Sequence, residues 1–130
     1  MLDYSFSILN LRRRADRREK FIERHSALGY DQSKIHFHYG RDGKSYTDIN
    51  EMRDEMVALY PRLVNYTSLG FGNIGYIWSM CELLEAFING KPKSEFIYYN
   101  QDDRFLCPIK SCNTRSNCFF LRQRNLSSWL

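Results

Sequence analysis

Three short runs of β-forming residues, "YSFSILNL" (4–11), "IHFHYG" (35–40) and "EFIYY" (95–99), are separated by stretches whose apolar residues recur at helical spacing. This ordering constrains the fold more than any other feature. Phe21, Ile22, His25 and Leu28 fall on one helix face, with Asp16 as the expected cap and Gly29 at the end. Ile49, Met52, Met56 and Leu59 form a second face behind Asp48 and Glu51 in capping-box spacing, and Pro61 closes it. Ile74, Ile77, Trp78, Cys81, Leu84 and Phe87 mark the strongest helix, over 74–88, before "GKPKS" breaks the chain. Strand, helix, strand, helix, helix, strand is the order of an α/β domain with a mainly parallel sheet. In such sheets ligands bind beyond the carboxyl ends of the strands.

The chain has 130 residues, enough for one domain with a single core. Its net charge of +4 is unevenly placed. Residues 1–106 carry 15 basic and 15 acidic side chains, and the excess comes from Lys110, Arg115, Arg122 and Arg124. A neutral body with a basic tail argues against a nucleic-acid partner, so none is expected. No run of 18 apolar residues exists, which excludes a membrane span of that kind. The first residues are too polar for a signal peptide and carry their basic cluster on the wrong side, so the chain reads as cytoplasmic. Cys81 reads as a small core residue, and the spacing of Cys107, Cys112 and Cys118 does not fit a zinc site. Beyond Leu106 the periodicity is lost, giving a partial domain over 1–106 and a poorly specified tail over 107–130. A tail without an amphipathic pattern buries too little to offset its ordering entropy, so it is expected to add little to the fold. Phe119, Phe120, Leu121 and Trp129 are the residues able to dock it.

Two clusters carry possible chemistry. "NLRRRADRR" (10–18) sets five arginines just after the first strand. Basic residues at a helix start oppose its dipole, so local stability does not explain them. The run is either a solvated first turn or an anion site in which guanidinium forks meet phosphate oxygens. "EFIYYNQDDRFL" (95–106) ends a buried strand on Asp102 and Asp103, two carboxylates that repel unless a cation or donor satisfies them. They are either an acidic turn or a site for Mg²⁺ or Mn²⁺, which take one or two hard carboxylates plus substrate oxygens. Both clusters fall on the same rim of the expected sheet. "GFGNIGYIWS" (70–79) reads as a glycine turn and helix cap and lacks the preceding strand of a dinucleotide fingerprint. His25, His36 and His38 read as structural or surface residues.

Four segments in order resemble glycosyltransferase family 25, the lipooligosaccharide and procollagen galactosyltransferase type. They are "ILNLRRRADR" (8–17), "YGRDG" (39–43), "GNIGYIWSM" (72–80) and "YYNQDD" (98–103). The resemblance covers about residues 4–106. It implies a GT-A type, Rossmann-like sheet with flanking helices, here truncated, because the family's later half has no counterpart. It also implies a UDP-sugar donor, commonly UDP-galactose, with Asn10, Arg13 and Arg17 on the donor side and Mn²⁺ (or Mg²⁺) at Asp102 and Asp103. Gln101 stands where the family has its first acid, Tyr76 where it has a cysteine, and Met80 where it has a histidine.

Three functions follow as alternatives. The first is a metal-dependent glycosyltransferase that moves a hexose from a UDP-sugar to a saccharide or hydroxylated acceptor. The second is an incomplete remnant that binds only a nucleotide sugar or a protein partner. The third, a basic nucleic-acid binder, runs against the neutral balance of residues 1–106.

Overall fold

The computed structural model describes residues 3–66, 70–103 and 119–122. The order of elements is β1 (Tyr4–Asn10), α1 (Ala15–Ala27), β2 (Ile35–Tyr39), α2 (Ile49–Leu59), α3 (Phe71–Ile88), β3 (Phe96–Gln101) and β4 (Phe119–Arg122). The sheet runs β2-β1-β3-β4, with β1 parallel to both neighbours and β4 antiparallel to β3. The expected α/β architecture and its parallel core are present. No helix of the described residues is long and apolar enough to cross a membrane.

β1 is buried along almost its whole length because helices cover both faces of the central strand. Phe6 and Ile8 point to α1 and meet Phe21, while Leu9 points the other way into Leu83, Phe87, Ile97 and Tyr99. α2 does not touch this layer through its buried methionines. Met52 and Met56 close a third cluster with Ile74 and Trp78 of α3. α3 is therefore apolar on two sides, one toward the sheet and one toward α2.

Several local expectations change in the structure. α1 starts at Ala15 with Arg14 at the cap position and no side-chain cap. Asp16 lies inside the first turn, where the fork of Arg14 holds it through Nε (2.8 Å) and Nη2 (2.7 Å). Of the expected apolar face only Phe21 and His25 are buried, and Ile22 and Leu28 stay exposed. Leu59 is likewise exposed at the end of α2, although Asp48 does cap that helix by accepting from the Asn50 amide. Cys81 is only partly buried. Gly29 ends α1 as expected: at φ +81° it lets its own amide reach Ser26 O and that of Tyr30 reach His25 O. Within the tail, β4 pairs Phe119 with Tyr99 and Arg122 with Phe96, a contribution to the fold that the loss of periodicity does not announce. Residues 104–118 and 123–130 lie outside the described residues, and with them the expected boundary near 106, Trp129 and the three tail cysteines.

His25 is fully buried, stacked on Phe21 at 3.9 Å, and its Nδ1–H donates to the Phe21 carbonyl at 2.8 Å. Burial lowers its pKa below the ordinary 6.5, and burial does the same at His38 against the opposing pull of Glu82. Unfolding lets both rings take up protons that the fold refuses. Their contribution is therefore intact above pH 6.5 and lost as pH falls below it. The melting temperature is expected to drop as pH is lowered from about 7.5 to about 5.5, with a shallower slope in His25→Gln. Calorimetric melts across that range check it.

Candidate functional site

Because β1, β2 and β3 are parallel, their carboxyl ends share one rim. The ladder continues one residue past the strands: the Gly40 amide donates to Asn10 O (2.9 Å) and the Asp102 amide to Leu9 O (3.1 Å). Asn10 and Asp102 are thereby set side by side, and both are buried. Asn10 Nδ2 donates to Asp102 Oδ2 at 2.8 Å and to the Arg14 carbonyl at 3.2 Å, while its Oδ1 accepts from Arg18 Nη1 at 3.2 Å. Arg17 Nη1 lies 3.5 Å from Asp102 Oδ1. The arginine run and the aspartate motif, separate in the sequence, form one network.

A cleft of about 590 Å³ opens over this network, within the usual range for small-molecule sites. Arg13, Arg17, Arg41 and Lys44 line it against the carboxylates of Asp42 and Asp102, leaving an excess of positive charge. Leu9, Leu11 and Phe71 supply apolar wall, and Tyr76 adds a ring whose hydroxyl pairs with that of Tyr99. Burial and this bond push the Tyr99 phenol well above its usual range, so it keeps its proton. Asn10, Arg13, Arg17 and Asp102 all reach the cleft. Asp103 does not line it: in the turn that follows β3, Asp102 is buried against the cleft and Asp103 is exposed. Among the described residues no group of three or more His, Cys, Asp or Glu side chains gathers in a metal-ligating cluster.

Arg13 is held by Asp42, an ion pair across the cleft mouth. Burial alone would raise the Asp42 pKa, but the Arg13 hydrogen bond and the Lys44 amide outweigh it, and the carboxyl sits below its ordinary value. Arg41 lines the cleft while its side chain is held by α3, with Nε donating to Glu82 Oε1 at 2.6 Å and the guanidinium 4.3 Å from the Trp78 ring centre.

Sequence reasoning did not find how the 40–43 loop is held. Ser79, buried in α3, accepts the Arg41 amide at 2.7 Å and donates to the Gly75 carbonyl at 2.5 Å. A Cβ on Gly75 would stand 2.7 Å from Arg41 O, one on Gly40 2.6 Å from Ser79 Oγ, and one on Gly43 2.8 Å from Phe71 Cβ. The missing side chains let the loop lie directly on the first turns of α3. The three glycines at 70–75 were the available signal. Gly70 is the cap, while Gly75 is a contact residue inside the helix.

Gly75→Ala is expected to destabilise the fold by about 1–3 kcal/mol, the usual cost of overpacking. Gly72→Ala, whose Cβ would meet nothing within 4 Å, should be neutral or stabilising by up to about 1 kcal/mol from helix propensity. Urea denaturation of the two variants beside the parent checks the contrast.

No protein-family model matches the chain, and no curated protein shows significant sequence similarity to it, so the cleft's chemistry is read from its own residues.

Proposed function

We propose that the cleft binds the diphosphate of a nucleotide sugar, and that the domain is a GT-A type glycosyltransferase unit resembling family 25. In this reading it transfers a hexose, with galactose the expected sugar, from a UDP-sugar to a saccharide or hydroxylated acceptor. The observation that carries the reading is the meeting of Arg13, Arg17 and Asp102 in one cleft at the carboxyl ends of parallel strands. Arginine forks suit phosphate oxygens, and a cleft with excess positive charge favours an anion over a neutral ligand.

The residues present fit a divalent cation of the substrate-bridging kind, which needs one or two carboxylates and takes its other ligands from phosphate and water. Asp102 would hold it, with Asp103 the adjacent acid, and such an ion supplies Lewis-acid stabilisation of a departing diphosphate. The chain's own residues do the rest. Asn10 fixes the Asp102 carboxylate by donating to Oδ2. Arg17 balances its charge, and Arg13, paired with Asp42 of the 40–43 loop, brings a second guanidinium to the cleft. Leu9, Leu11 and Phe71 keep water off one side of the cleft.

Binding without transfer is a second reading, favoured by Asp42. Its carboxyl is held ionised below the ordinary range by Arg13, which makes it a weak proton acceptor for an acceptor hydroxyl.

Titration calorimetry with UDP is the test. Arg13→Ala and Arg17→Ala should each weaken binding by about 1.5–3 kcal/mol, the worth of a charge-assisted hydrogen bond. Mn²⁺ should strengthen binding in the parent and not in Asp102→Asn. UDP affinity that ignores both arginines and the metal sinks the donor reading. Tight RNA binding with a steep salt slope in its place would restore the nucleic-acid alternative. Release of UDP from UDP-galactose in the presence of a saccharide separates transfer from binding alone.

A further inference from the structure

Each arginine lining the first cleft is already held by an acid of the protein: Arg13 by Asp42, Arg17 by Asp102 and Arg41 by Glu82. The three acids are not equivalent. Asp102 is buried and fixed by Asn10, and Glu82 grips Arg41 from α3 without lining the cleft. Asp42 lines this cleft and also a second one beside it, of about 860 Å³.

The grip of Asp42 on Arg13 has the form of a ligand contact. Arg13 Nε donates to Asp42 Oδ2, and Arg13 Nη2 donates to Oδ1 at 3.4 Å. The Lys44 amide donates to the same Oδ1 at 3.0 Å. A carboxylate seated on Nε and Nη2 occupies one edge of the guanidinium fork, an edge that also suits two oxygens of a phosphate. One cation of the cleft therefore carries a tethered anion of the protein's own.

That anion can leave. The Arg13 and Asp42 side chains are 42% and 20% exposed, so solvent screens the pair and little energy holds it. A displaced carboxylate also has somewhere to go. Arg12 lines the second cleft and pairs with no acid among the described residues, its guanidinium lying over the Tyr39 ring. A diphosphate carries more charge than one carboxylate and reaches Arg17 and Lys44 in the same cleft, so it can win the exchange. Its apparent affinity falls with the fraction of molecules in which Arg13 is free to take it.

We propose that Asp42 is an autoinhibitory residue, an internal competitor that occupies Arg13 until a polyphosphate displaces it toward the second cleft. This rests on the anion reading of the first cleft and adds that the protein holds down its own affinity there.

Titration calorimetry of the full chain with inorganic pyrophosphate, at fixed ionic strength, is the test. Asp42→Asn keeps an acceptor for the Lys44 amide and removes the charge. It should bind pyrophosphate about fivefold more tightly than the parent, the upper range for a part-exposed ion pair. Asp42→Ser, which can accept the same amide, should act in the same direction. Most of the gain should be lost in an Arg13→Ala background. An equal gain there would mean that Asp42 only repels the ligand, and would overturn the proposal. Unchanged or weaker binding in both Asp42 variants would overturn it too. In the isotope-labelled parent, pyrophosphate should shift the Arg13 Nε–H and Lys44 amide signals together, and binding that moves neither is a further contrary result. UDP separates this from the donor reading. Arginine-dependent UDP binding with no gain in Asp42→Asn would keep the donor and remove the competitor. The predicted gain with pyrophosphate, in a chain that takes UDP no more tightly than pyrophosphate, would keep the competitor and remove the nucleotide. Pyrophosphate binding to none of the variants would remove both.

Discussion

The buried amide of Asn10 is the joint on which the rim is built. It sits at the end of the central strand and makes hydrogen bonds to the turn before α1, to Arg18 within α1 and to Asp102 after β3. Desolvating an amide costs several kcal/mol unless its donors and acceptor are met, so the three partners are what make this position tenable. The same bonds keep a buried carboxylate satisfied. Removing the amide would leave Asp102 facing Arg17 alone, at a distance where one half-exposed guanidinium compensates poorly. A side chain of fixed length thereby sets the spacing between the arginine-bearing helix and the aspartate, and with it the width of the cleft.

The opposite wall is fixed by contact. A loop carrying Arg41 and Asp42 would ordinarily be mobile, but here its backbone lies close against α3 through Gly75 of the helix and Gly40 and Gly43 of the loop, and Ser79 ties it down. Two charged walls result, one held by a polar network and the other by close backbone packing. Neither needs a bound ligand to form, and binding energy is then not consumed in ordering them.

The parallel sheet was legible because β1 is covered on both faces, which leaves a near-continuous buried run that few other folds demand. The rim was legible for the same reason: strand ends were visible, and polar residues followed each. Helix faces were read too wide. Periodicity identified Ile22, Leu28 and Leu59 as members of a stripe, but Leu28 and Leu59 overhang into solvent at helix ends, and Ile22, next to buried Phe21, lies at the exposed edge of a narrower contact line. The cap of α1 was misplaced because Asp16 has the chemistry of a cap, while the local fork of Arg14 draws it into the first turn instead. The aspartates could not be told apart from the sequence, since the conformation of the turn after β3 decides which one faces the cleft. Gly75 and Ser79 were invisible as a clasp because their partner, the Arg41 backbone, carries no signature in its own sequence. β4 was hidden for a different reason. A four-residue edge strand pairs through its backbone, which needs no long amphipathic pattern.

The position of β1 also bears on how the domain comes into being. β1 precedes both of its sheet partners in the chain, and the two arrive at very different times. β2 follows within one helix, but β3 begins at Phe96, and the Asn10–Asp102 bond joins residues 92 apart. Until then, one edge of β1 stays open beside the large apolar side chains of Phe6, Ile8 and Leu9. An open edge of this kind invites pairing with other chains. The late strand that completes the cleft is also the one that closes this edge, so a molecule with a formed rim has already passed its most aggregation-prone stage.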